Sequence, residues 1–166
     1  MSVLYVVVAL VALQRLAELV HARRNEAGLR ARGGVEVGAR HYPFFVLLHG
    51  SWLLALAVLV DPAATVNWPL LGLYLVLQAG RIWVVASLGP YWTTRIITVP
   101  DAPLVRTGPY RWFRHPNYLV VVAEIAVLPL AFGAWRIAIV FSALNAALLW
   151  HRIRVETAAL AARDKR

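Results

Sequence analysis

The sequence predicts an all-α integral membrane protein of about five transmembrane helices, the last two forming a tight hairpin. Two observations carry this. Of the 166 residues, 61% are apolar, against about 45 to 50% in an ordinary soluble domain. Five spans of about 20 residues each account for that excess without any soluble domain. The basic residues, in addition, are sorted into alternate inter-span segments, as the bilayer requires of a polytopic chain.

The first span covers about residues 3–20. It lacks a basic amino-terminal region, and Gln14, Arg15 and Glu18 stand where a cleavage site would follow, so it reads as a retained helix and not a signal segment. The second, about 42–60, stops at Asp61-Pro62 because proline cannot continue a helix. The third, about 68–88, closes on the turn signal Gly89-Pro90. The fourth, about 118–132, and the fifth, about 135–150, are separated only by Gly133-Ala134. At about 15 residues, or roughly 23 Å, these two are shorter than a bilayer core of roughly 30 Å. They must extend, tilt or thin the membrane, and Pro129 is expected to kink the fourth. With no internal repeat and no linker, residues 1–166 read as one domain.

A net charge of +9 invites a nucleic-acid reading. Uncharged apolar runs such as Tyr42 to Val60 exclude it, because they belong in lipid. The charge is instead topological. Arg23, Arg24, Arg30, Arg32 and Arg40 fall in the first inter-span segment, Arg95, Arg106, Arg111 and Arg114 in the third, and Arg152, Arg154, Arg163, Lys165 and Arg166 in the tail. The second segment, 61–67, has none. Short basic loops stay cytosolic, which puts the amino terminus outside and the carboxyl terminus inside. The chain has no cysteine, so it has neither a thiolate metal site nor a cysteine nucleophile.

The densest chemistry lies between Leu104 and Tyr118. Gly108-Pro109 and His115-Pro116 set two turns that allow Tyr110, Arg114, His115 and Tyr118 to converge on one polar ligand; the competing reading is interfacial anchoring by basic and aromatic residues. A second cluster, 151–157, places Arg152 and Glu156 four residues apart on one helical face. They either pair with each other, worth only about 0.3 to 0.5 kcal/mol, or face the first cluster, because the hairpin brings both to the same membrane surface.

The combination of Gly108-Pro109-Tyr110, Arg114-His115-Pro116-Asn117-Tyr118 and the terminal Arg152 and Glu156 resembles the isoprenylcysteine carboxyl methyltransferase family of membrane enzymes. The likeness covers about residues 104–156. It implies S-adenosyl-L-methionine as cofactor, held by Leu104, Val105, Tyr110, Arg114, His115, Pro116, Asn117, Tyr118 and Glu156, with Arg152 turned toward the methyl acceptor. Two positions depart from the pattern: Val120 replaces a customary glycine, and Thr157 the second acid of a terminal pair. Both bear on the acceptor more than on the cofactor. The run from Arg114 through Glu124 to the later Leu-Pro-Leu is similar to bacterial members that O-methylate lipophilic polyketides such as alkylpyrones and alkylresorcinols. That likeness implies a bacterial inner (plasma) membrane location with the active site facing the cytosol.

Glu124 falls about two turns into the fourth span, where an unpaired charge costs several kcal/mol. Gln78, Arg81, His49 and Asn145 are its candidate partners, with Arg15 and Glu18 as a separate pair. Glu124 is either interhelical glue or, lining an acceptor tunnel, a catalytic general base.

The function expected is therefore O-methylation of a lipophilic or prenylated acceptor at the membrane, with lipids as surroundings and no nucleic-acid partner. The absence of a Gly-x-Gly-x-x-Gly fingerprint excludes a Rossmann methyltransferase. Phospholipid headgroup N-methylation and a non-catalytic scaffold binding anionic lipid are the alternatives.

Overall fold

The computed structural model describes residues 2–100 and 102–163, and side chains as far as Ala161. Lys165 and Arg166 of the basic tail lie outside the described residues, and Arg163 is placed in its backbone only. Five helices make up the body: α1 Val3–Ala31, α2 Tyr42–Leu59, α3 Trp68–Leu88, α4 Pro116–Ala131 and α5 Trp135–Arg163. Four segments are long and apolar enough to cross a membrane, namely Val3–Ala31, Ala39–Leu59, Trp68–Tyr91 and Trp135–Ala161; Pro116–Ala131 is the shorter apolar helix. The chain is thus a helical integral membrane protein with four candidate membrane-crossing helices.

Local chemistry explains the boundaries. The Ser2 hydroxyl caps α1 by accepting from the Tyr5 N–H at 3.4 Å, and the Asn67 side chain caps α3 through the Leu70 N–H at 3.1 Å. Proline occupies the first turn of α2, α3 and α4, where the missing N–H has no helical partner to lose. Pro129 sits in the last turn of α4, and its carbonyl accepts from the Phe132 and Ala134 N–H groups at 3.0 and 2.9 Å. The Asn67 N–H donates to the Ala131 carbonyl at 2.8 Å, fastening the start of α3 to the end of α4.

A buried cluster including Trp52 and Leu56 of α2, Tyr74 of α3 and Ile125 and Leu128 of α4 forms the core. The outward faces are as apolar as the inward ones: Leu54, Val58, Leu75, Val76 and Ile82 are all more than 60% exposed. A protein in water does not tolerate so continuous an apolar surface, whereas a bilayer solvates it.

Helices α1 and α5 overrun the expected spans of 3–20 and 135–150, each reaching 29 residues. Their extensions remain helical because Ala, Leu, Arg and Glu, all strong helix formers, dominate them, while the interspersed Arg and Glu break the apolar run that marks a span. A two-stranded antiparallel ribbon was also not foreseen. It pairs β1 Val35–Val37 with β2 Ile96–Thr98, placing Glu36 opposite Ile97.

Glu36 secures that ribbon by accepting from Arg95 and Arg30, both at 2.6 Å. Partial burial opposes its ionisation, but the two guanidinium groups outweigh this and hold its carboxyl below the usual range. A depressed folded-state pKa contributes stability that is complete above the unfolded value, about 4.3, and is lost as pH falls through the folded value. Wild type should accordingly unfold at a higher temperature than Glu36→Gln at pH 7, and the gap should close below about pH 4. A gap independent of pH would refute this.

Candidate active site

The loop before α4 is shaped by one glycine and two prolines. Gly108 adopts φ 55°, and a Cβ there would stand 2.1 Å from the Ser87 hydroxyl and 3.2 Å from the Trp83 indole nitrogen. Only glycine lets the 108–111 turn seat against the end of α3. Gly108→Ala should therefore lower stability by about 1 to 3 kcal/mol through strain and overpacking, read as a reduced unfolding midpoint. Ser87→Ala in the same chain should recover only part, since the backbone strain remains. Further on, the His115 carbonyl accepts the Tyr118 and Leu119 N–H groups at 3.1 and 3.4 Å, starting α4.

Tyr118 is the centre of the site. Its hydroxyl accepts from Arg152 Nε at 2.8 Å and donates to the Glu156 carboxylate in a short hydrogen bond. Arg152 also donates to the Thr94 carbonyl at 2.9 Å, with its guanidinium 5.2 Å from the Phe45 ring centre. The His115 ring stacks on that of Tyr118, centroids 5.4 Å apart at 21°, and His115 Nδ1 stands 3.8 Å from Glu156. Among the described residues Arg152 and Glu156 do not pair directly. The tyrosine hydroxyl stands between them, so the simple surface pair is set aside.

Two cavities meet at this centre. The first, about 200 Å³, is lined by Leu104, Val105, Tyr110, Arg114, His115, Asn117, Tyr118, Arg152 and Glu156, with further walls from Trp92, Arg95 and Ile96 to Thr98. Every expected cofactor residue except Pro116 is therefore brought to one space. Pro116 is buried in the first turn of α4 and does not line it. Burial pushes the Tyr110 hydroxyl pKa up, and the nearby Glu156 charge adds to this, so it stays protonated and able to donate.

The second cavity, about 380 Å³, is framed by Leu16, Leu19, Phe45, Val46, Leu53 and Val121, and carries polar groups from Arg15, Glu18, His49 and Arg81. Thr93, Asn117, Tyr118 and Arg152 line both spaces and form their common wall. Asn117 Oδ1 is buried there without a hydrogen-bond partner, an arrangement that is costly unless a ligand or water supplies one.

Glu124 lines neither cavity. It is 1% exposed, and its oxygens accept from Arg15 at 2.8 Å, Arg81 at 3.1 Å and Gln78 at 2.8 Å. Glu18 accepts from Arg15 at 2.9 Å and Arg81 at 2.6 Å. Arg15 and Glu18 are thus not a separate pair. Two arginines and two glutamates form one compensated cluster joining α1, α3 and α4. His49 donates from Nδ1 to the Phe45 carbonyl instead, at 2.8 Å, and Asn145 Oδ1 is unpartnered. With both its oxygens occupied, Glu124 has the surroundings of a structural hub.

The segment Trp92 to Thr98, absent from the expected site, walls the first cavity. Its only signal was the β-branched run Ile96-Ile97-Thr98-Val99.

Comparison with known proteins places the chain among relatives. The sequence model of the isoprenylcysteine carboxyl methyltransferase family matches residues 70–162. The uncharacterized protein YpbQ of Bacillus subtilis (strain 168) is 40% identical over 160 residues, covering 94% of this chain and 95% of that protein. An uncharacterized protein of Haemophilus influenzae is 25% identical over 143 residues, covering 82% and 83% respectively. No solved structure gives a significant match.

Proposed function

Because the chain belongs to the isoprenylcysteine carboxyl methyltransferase family, we propose that it is an S-adenosylmethionine-dependent O-methyltransferase acting on a lipophilic acceptor within the membrane. The family itself is one of membrane methyltransferases. The observation that carries the finer reading is the wall shared by a polar and a largely apolar cavity, formed by Asn117, Tyr118 and Arg152.

The first cavity suits the cofactor in its donor set. The Glu156 carboxylate can accept from an ammonium group or ribose hydroxyls, Arg114 and His115 can meet a carboxylate, and the Tyr110 and Tyr118 rings can cover adenine or a sulfonium. Asn117 Oδ1, unpartnered in the wall, would gain a donor. When bound, the cofactor supplies an electrophilic methyl group. Arg152, held by Tyr118, Thr94 and Phe45, is placed to fix an acceptor oxygen against the shared wall. Positioning of this kind supplies up to roughly 7 to 11 kcal/mol. Leu16 and Val46, 59% and 46% exposed, flank the second cavity and give an apolar tail a sideways path. In this reading α4 and α5 are the fourth and fifth spans, the amino terminus is outside, and both cavities open toward the cytosolic face of an inner membrane.

Calorimetry on purified protein should show S-adenosylmethionine binding at micromolar levels, and radiolabelled methyl should pass into lipid extracts. Absence of binding would end the proposal. Label confined to phosphatidylethanolamine derivatives would point to nitrogen instead of oxygen.

A further inference from the structure

The turn ahead of α4 has two faces. Tyr110 and Arg114 line the first cavity. Between them Arg111, Trp112 and Phe113 face outward, with Trp112 64% and Phe113 53% exposed. The Trp112 and Phe113 N–H groups both donate to the Pro109 carbonyl, at 3.2 and 3.1 Å. The stretch is therefore one compact turn, and what holds its outer face also holds its inner one.

That outer face lies along the bilayer. The Trp112 ring stands 6.1 Å from that of Trp83, and Gly108 is packed against Trp83 and Ser87. Trp83 is half exposed within the apolar segment Trp68–Tyr91. It precedes the end of α3 at Leu88 by five residues, or about 7.5 Å along the helix. Trp112 is consequently held at the level of the membrane interface, where indole rings are favoured. The Arg111 guanidinium stands 5.9 Å from the Trp112 ring centre, and Arg106 is exposed nearby in sequence. No acid occurs from Ala102 to Ala123, so neither arginine has a counter-charge in its own segment. Exposed rings flanked by such cations fit the phosphate layer of an anionic membrane.

We infer that anionic lipid is an effector of this site: its headgroups hold the outer face of the turn and thereby strengthen cofactor binding at the inner face. The inference rests on the methyltransferase reading for what the first cavity holds. A lipid that favours one arrangement of the turn favours whatever else binds that arrangement, and by linkage the bound cofactor favours the lipid to the same extent.

The test is calorimetry with S-adenosylmethionine on the full chain in nanodiscs, either of phosphatidylcholine alone or of an equal mixture with phosphatidylglycerol. Wild type should bind about fivefold or more tightly in the mixture, the lower end of ordinary coupling between two sites. The cofactor carries a net positive charge, so an anionic surface gathers it around any protein. The double variant Arg106→Gln, Arg111→Gln separates the two effects: it should lose most of the preference and keep the affinity of wild type in phosphatidylcholine. Arg23→Gln with Arg24→Gln removes the same charge from exposed positions on α1 and should keep the preference. Equal affinity of wild type in the two lipids, or the same loss in both double variants, overturns the inference. Glycerol phosphate added to the phosphatidylcholine discs should have no effect; if it reproduces the gain, a soluble anion is the effector and the inference fails. Because the chain has no cysteine, a fluorophore on Phe113→Cys reports depth without reference to the cofactor. It should be quenched by brominated lipid and spared by iodide, and the reverse would place the turn in water and overturn its seating. Cofactor binding without lipid preference overturns only this inference, and no cofactor binding in either lipid overturns the reading beneath it.

Discussion

Glu156→Ala should lower the affinity for S-adenosylmethionine by about 100-fold or more, measured by titration calorimetry on detergent-solubilised protein. Hydrogen bonds to a charged group contribute about 1.5 to 3 kcal/mol each, and two of them correspond to at least two decades in dissociation constant. Glu156 is the carboxylate of the first cavity, and its one strong internal partner is the Tyr118 hydroxyl. Removing it also frees that hydroxyl of its acceptor, while Arg152 keeps its bonds to Tyr118 and the Thr94 carbonyl. Tyr118→Phe should behave differently. It keeps the ring that stacks on His115 and the carboxylate, so the cofactor should still bind within about tenfold of wild type, while turnover falls because Arg152 loses one of its two hydrogen-bonded tethers. Thr157→Ala, at an exposed neighbouring position, is the control and should leave both unchanged. Equal affinity in wild type and Glu156→Ala would remove the carboxylate from the cofactor's partners.

The second large effect is on stability. Glu124→Leu leaves Arg15 and Arg81 facing Glu18 alone, one uncompensated cation in the helical core. Breaking a buried pair by removing one partner costs about 3 to 5 kcal/mol, and the absence of water within a bilayer does not relieve that. The expected result is a marked loss of the folded state in reversible unfolding from mixed micelles. Glu124→Leu combined with Arg81→Leu restores neutrality and should be less destabilising than the sum of the two single changes, as expected of groups in one network. Strict additivity would show that the charges are not coupled.

How far the sequence disclosed this molecule varied with the range of the interaction involved. The ends of α2 and α3 were legible because Asp61-Pro62 and Gly89-Pro90 act on their immediate neighbours. The α4 and α5 hairpin was legible for the same reason, since Gly133-Ala134 leaves no room for another connection. Arg81 and Gln78 were correctly anticipated as partners of Glu124, because a buried charge on one span demands polar groups on another. Arg15 was not, since its near neighbour Glu18 satisfied it on paper, and only the packing of α1 beside α3 and α4 shows that both serve the larger cluster. The ribbon was missed for a similar reason. Three residues of β-branched character are too weak a signal until Val35 to Val37 lies alongside.

The unbroken course of α5 sets the angular phase of the site. Arg152 and Glu156 sit on one face of a 29-residue helix that begins at Trp135, and each residue advances the direction of a side chain by about 100°. A single residue inserted between Trp135 and Arg152 would leave the helix intact and turn the arginine and glutamate together away from Tyr118. A longer connection at residues 61–67, by the opposite end of α3 from the site, would leave that phase untouched. The chain can therefore vary in length between α2 and α3 and scarcely at all between Trp135 and Arg152.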